Sequence, residues 1–123
     1  MVKRKTILSV LLREFPVVVI TGPRQAGKTT LARQAASAKK RPVIYLDMEL
    51  ESARKKLFDM ESYFFSHRGK LVIIDEVQLM PEIFSALRPE VDGFRKPGRF
   101  LLTGSANPAI INSVAESLAG RAA

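Results

Sequence analysis

No cysteine occurs in the 123 residues, which excludes disulfides, thiolate metal sites and a cysteine nucleophile. The single histidine, His67 in "SHRGK", cannot make a metal site by itself and reads as a surface turn residue. The longest apolar runs, Val17-Val18-Val19-Ile20 and Leu71-Val72-Ile73-Ile74, are far too short to span a bilayer. The basic start (Lys3, Arg4, Lys5) leads into an amphipathic stretch broken by Arg13 and Glu14, with no small-residue cleavage site after it; a cytoplasmic protein is expected. No internal repeat, low-complexity tract or second domain stands out, so one domain over residues 1–123 is expected. Acids are the scarcer charge: 12 against 20 basic residues gives a net charge of +8. That balance favours anionic partners: nucleotides, nucleic acid or acidic lipid. The basic residues fall in small groups, Lys39-Lys40-Arg41, Arg54-Lys55-Lys56, and Arg95-Lys96 with Arg99. They read as solvated helix ends and turns, because no aromatic residues are interleaved with them as stacking platforms.

What is present is an alternation of short apolar strands with helical patterns. Ile7, Val10 and Leu11 mark a short helix over Thr6 to Glu14, closed by Pro16. Val17 to Thr21 read as a buried strand. Leu31, Ala32, Ala35 and Ala36 recur helically between Lys28 and Lys39. "VIYLDM" is a second strand, and Leu50, Ala53, Leu57 and Phe64 form one long helical stripe from Glu49 to near Gly69. "KLVIIDE" is a third strand. Pro81 suits a first helical position before Ile83, Leu87 and Val91. Pro97-Gly98 is a turn and "RFLLTGS" a fourth strand. Asn107 reads as an N-cap, with Pro108 in the first turn, before Ile110, Ile111, Val114 and Leu118; Gly120 lies where a C-cap belongs. Four apolar strands separated by helices indicate a parallel sheet covered on both faces.

Gly22, Gly27, Lys28 and Thr29 satisfy the pattern G-x-x-x-x-G-K-S/T between a strand and a helix. Each residue type has a physical task. The glycines let the backbone curl so that successive N–H groups converge on oxygen atoms, and the following helix points its positive dipole end at the same place. Lys28 then bridges the β- and γ-phosphates of a triphosphate, and Thr29 offers its hydroxyl to Mg2+. The cradle runs from Gly22 through Pro23, Arg24, Gln25, Ala26, Gly27, Lys28 and Thr29 to Thr30; Arg24 and Gln25 face either the triphosphate or solvent.

"LVIIDEVQ" places two acids at the carboxyl end of a buried strand, the edge where open α/β sheets bind ligands. Neighbouring strand residues point in opposite directions, so Asp75 and Glu76 are expected to do different work. Asp75 is placed to hold Mg2+ through its water shell. Glu76 is placed to orient and deprotonate an attacking water. The D-x-x-G and N/T-K-x-D motifs of GTPases are absent. Thr103 and Ser105, ending the fourth strand, either bond the γ-phosphate or lytic water or make local turn bonds, with Ser105 the stronger candidate. Asp47 and Glu49 either approach the metal or cap the next helix, and Gln78 is a weaker phosphate-side candidate.

Together "FPVVVITGPRQAGKTTLARQ", "LVIIDEVQLMPEIFSALRPEVD", "GRFLLTGSAN" and "SLAGR" resemble the prokaryotic AAA-like P-loop ATPases, from about Arg4 to Arg121. In that family an ATPase domain precedes a C-terminal domain of unknown function. The resemblance implies ATP with Mg2+, bound through Walker A and Walker B motifs. It also implies a three-layer α/β P-loop fold with a mostly parallel sheet of four strands in the order 2-3-4-1 and helices on both faces. Ser105 or Thr103 becomes a γ-phosphate sensor. Arg121 becomes either an arginine finger reaching a neighbouring subunit's site or a frayed tail residue. Family members continue past "LAGR" into a fifth strand, whereas two alanines follow Arg121 here, so a truncated domain is expected. Its first strand is then an apolar edge available for self-association. The expected function is ATP binding with Mg-dependent hydrolysis. The alternatives are a nucleotide-binding module without turnover, or a basic nucleic-acid-binding protein with an accessory ATP site, for which no recognition motif is present.

Overall fold

The computed structural model describes residues 10–21, 30 and 42–104. Outside them lie residues 22–29, the helix expected between Lys28 and Lys39 apart from Thr30, the segment after Asn107, Ser105 and Arg121. Thr30 itself is helical and exposed.

Four strands form one sheet: β1 Val17–Thr21, β2 Val43–Asp47, β3 Leu71–Asp75 and β4 Phe100–Gly104. Their order is β1-β4-β3-β2, every pairing is parallel, and the order is the expected one. Parallel neighbours need long crossovers. The β2–β3 crossover holds α1 (Glu51–Lys56) and α2 (Met60–Ser66); the β3–β4 crossover holds a 3-10 turn at Val77–Leu79 and then α3 (Glu82–Gly93).

The apolar runs divide their residues between two cores because successive side chains leave a strand on opposite faces. Val72, Ile74, Phe100 and Leu102 pack with Ala53, Leu57, Phe64, Ile83, Leu87 and Val91 of the three helices. Leu71, Ile73, Leu101 and Val18 face the other way, onto Leu12 of the helical stretch 10–14. Every residue of β3 and β4 is buried, as continuous apolar strands in a two-sided sheet require.

Two expectations are corrected here. The long helical stripe is two helices. Leu57 closes α1 with its N–H on the Arg54 carbonyl and the Phe58 N–H on that of Lys55, Phe58 stands 95% exposed, and Asp59 starts α2 by accepting from the Ser62 N–H at 3.2 Å. Leu50, counted in that stripe, is exposed at the N-cap of α1 instead. Arg99, grouped with Arg95 and Lys96 as solvated, is 1% exposed. It donates to the Glu90 and Phe94 carbonyls and pairs with the Glu90 carboxylate, which Arg68 also grips at 2.8 and 3.2 Å. A guanidinium survives there because its charge meets the Glu90 carboxylate and both terminal nitrogens find acceptors, although its buried Nε has none.

Candidate functional site

Thr21, Asp47, Asp75 and Gly104 end their strands side by side, and the registers Thr21↔Gly104 and Asp47↔Asp75 align them along one sheet edge. That carboxyl edge is where the glycine-rich segment begins, since Gly22 follows Thr21 in the chain. Position there follows from β1 and β4 being neighbours, an arrangement that inserts β4 between the first and third strands.

Asp75 is 6% exposed and Glu76 is 4% exposed. Buried carboxylates need donors, and both have them. The Thr103 hydroxyl donates to Asp75 Oδ1 and the Tyr45 phenol donates to Asp75 Oδ2. The Glu76 N–H donates to Thr103 Oγ1 at 3.1 Å, and Gln78 Nε2 donates to Glu76 Oε1 at 2.7 Å. Thr103 is wholly buried, and its one proton goes to Asp75 while its oxygen receives the neighbouring main-chain N–H. One hydroxyl thereby ties the two acids together.

The acids do diverge, but not through strand alternation. The strand ends at Asp75, and Glu76 turns away in the left-handed region at φ 56, ψ 50, opening the 3-10 turn. Among the described residues it is the one non-glycine residue with positive φ. Such a conformation costs on the order of 1–3 kcal/mol and concentrates at functional sites. Here the Thr103 and Gln78 contacts offset it.

Asp47 Oδ1 accepts the Glu49 N–H at 2.9 Å in a local turn, whereas Leu50 is the N-cap of α1 and no side chain caps it, so the expected capping of that helix by Asp47 or Glu49 is corrected. His67 sits at the end of α2 with Nδ1 against the Tyr63 carbonyl at 2.7 Å, a turn residue as expected. Gln78 proves to be a partner of Glu76. Tyr45 escaped sequence reasoning, although a lone hydroxyl in the apolar strand "VIYLD" was the available signal. Among the described residues no group of three or more His, Cys, Asp or Glu is arranged to hold a metal, and no helix is long and apolar enough to cross a membrane.

A family described as AAA domain matches residues 14–123. Uncharacterized protein Rv2008c of Mycobacterium tuberculosis is 44% identical over 110 residues, which is 89% of this chain and 24% of that protein. Uncharacterized protein Mb2031c of Mycobacterium bovis matches with the same figures, 44% over 110 residues. The chain thus spans about a quarter of the length of these relatives. Among solved structures, a mutant RuvB of Thermotoga maritima superposes with a TM-score of 0.67 at 24% identity, over 99% of this chain and 44% of that one. PCH-2 of C. elegans gives a TM-score of 0.57 at 17% identity, over 98% of this chain and 40% of that one. At these identities the structural likeness concerns the fold.

Proposed function

The chain belongs to the AAA domain family, within the AAA-like P-loop ATPases, and we propose that it binds ATP with Mg2+ and hydrolyses it. The observation that carries this reading is the acid pair: two adjacent buried carboxylates at the carboxyl edge of the sheet, each held by its own donors. Residues Gly22 to Thr30 cradle the phosphates, with Lys28 bridging the β- and γ-phosphates and the Thr29 hydroxyl on the metal; these roles rest on the sequence pattern.

Asp75 suits a magnesium ion brought in with nucleotide. Mg2+ keeps most of its waters and takes one or two carboxylates plus substrate phosphates rather than an all-protein cage. A single carboxylate held on both oxygens by hydroxyl donors meets that need. When bound, the ion supplies charge neutralisation at the phosphate oxygens. Glu76 takes the proton from the attacking water, with Gln78 fixing the rotation of its carboxylate. Ser105 senses the γ-phosphate, and Arg121 serves as the finger of a neighbouring copy, which makes self-association, with the β1 edge as its candidate surface, part of this proposal. We place the protein in the cytoplasm on the same footing.

The pairing of Gln78 with Glu76 favours a second reading, a module that binds nucleotide without turnover because its base is held. Glu76→Gln decides between them. Under the first reading the variant binds ATP as the parent does, raising the melting temperature with nucleotide, yet loses phosphate release. Equal phosphate release by parent and variant removes Glu76 from the role of base; none from the parent at any concentration leaves the second reading.

A further inference from the structure

Side chains from three adjacent strands meet at one carboxylate. Tyr45 and Ile73 are in register across β2 and β3, and Asp75 lies two residues beyond Ile73 on the same face. Leu101 opposes Ile73 across β3 and β4, so Thr103, two residues on, shares that face as well. Tyr45 leans forward along β2 and donates to Asp75 Oδ2; Thr103 donates to Oδ1 from the opposite side. The phenol ring is part-buried against the smaller core, whose buried members include its register partner Ile73.

We propose that Tyr45 and Thr103 are positioning residues that aim the Asp75 carboxylate at a divalent cation carried by nucleotide. This rests on the reading of Asp75 as the metal-facing acid. The terminal torsion of an aspartate is broad, so an unrestrained carboxylate samples many directions. Two donors anchored in flanking strands remove that freedom, one on each oxygen. An ionised carboxylate offers about four lone-pair sites. Because a hydrated Mg2+ is met through its waters, the direction of those lone pairs governs the fit. Outer groups that orient a metal-facing residue typically change metal affinity or activity about 10–100-fold when removed. A purely structural role, in which the hydroxyls only satisfy a buried charge, would lower stability and leave the metal requirement alone.

The protein carries two tyrosines and no tryptophan, so its intrinsic emission comes from Tyr45 and Tyr63. In a Tyr63→Phe background Tyr45 emits alone, partly quenched by its bond to the carboxylate. Mg2+ titrated in the presence of a non-hydrolysable ATP analogue should change that emission saturably. Tyr45→Phe, which keeps the ring, and Thr103→Val should each raise the Mg2+ concentration at half-maximal thermal shift by about 10-fold or more. Affinity for the metal-free analogue should stay unchanged, and Thr103→Ser should restore the parent's requirement. A parent that responds to Mg2+ and analogue while Tyr45 emission stays silent and Tyr45→Phe keeps the same requirement overturns the positioning role and leaves the ATPase reading intact. A parent with no Mg2+-dependent response to any nucleotide overturns the ATPase reading, and this inference with it. Should the substitutions at Tyr45 or Thr103 prevent folding, the emission titration, which alters neither residue, decides alone.

Discussion

Glu76 concentrates the tension between folding and chemistry in one peptide unit. An L-residue there carries the left-handed penalty, and the side chain is nevertheless an acid with a committed partner in Gln78. A glycine or asparagine would sit at φ 56 more easily. This leads to a stability comparison separate from turnover. Glu76→Val should be less stable than Glu76→Asn by about 1 kcal/mol or more, because β-branching is the worst fit to that region. Urea midpoints of the two variants measure the difference; equal midpoints would mean that the turn relaxes around the substitution. The identities of Asp75 and Glu76 as the paired acids were legible from the apolar run before them. Tyr45 was not, because its relevance depends on which residue of β3 lies beside it.

Between the strands, local capping decides where helices begin. Hydrophobic spacing alone joins Ala53, Leu57 and Phe64 into one stripe, and all three are indeed buried in the same core. The spacing is blind to the main chain between them. Asp59 breaks the run because its carboxylate satisfies an N–H of the next turn, giving α2 its own start. Asp59→Ala should therefore cost about 1 kcal/mol, within the usual 0.5–2 range for a lost cap, visible as a lowered urea midpoint. A midpoint identical to the parent's would show that packing of Phe64 against Phe100, ring centroids 5.1 Å apart, suffices to set α2.

Across the molecule, the end of α2, the length of α3 and the start of β4 are joined by Arg68, Glu90 and Arg99. Burial pushes the Glu90 carboxyl upward, but the Arg68 and Arg99 guanidiniums outweigh it and hold Glu90 below its ordinary value. Burial works in the opposite sense on Arg99 and lowers it. A carboxylate depressed in the folded state stabilises fully above its ordinary value of 4.5 and loses that contribution as pH falls through the folded value. Stability measured by urea from neutral pH into the acid range should therefore fall, and Glu90→Gln should flatten the part of the slope due to this group. At neutral pH the same variant should cost about 3 kcal/mol or more, because it leaves Arg99 buried without a counter-charge. Against a total of about 5–15 kcal/mol for domains of this kind, that is a large share. An unchanged slope and midpoint would remove the triad from the account of stability.

Strand identity, the parallel class, the two-sided burial and the acid pair were all readable in the chain, since each is encoded in the local run of apolar and polar residues. A buried β-strand announces itself by its own composition, and the residues ending it are named by their place in line. The clamp on Asp75, the hydroxyl shared through Thr103, the left-handed turn at Glu76 and the burial of Arg99 were out of reach in one dimension. Each depends on strand register or on helix-to-strand docking, which brings together residues 22 to 30 positions apart in the case of Arg68 with Glu90, Tyr45 with Asp75, Thr103 with Asp75 and Thr103 with Glu76. Such contacts form only after the chain folds back on itself, and no neighbouring residue reports them.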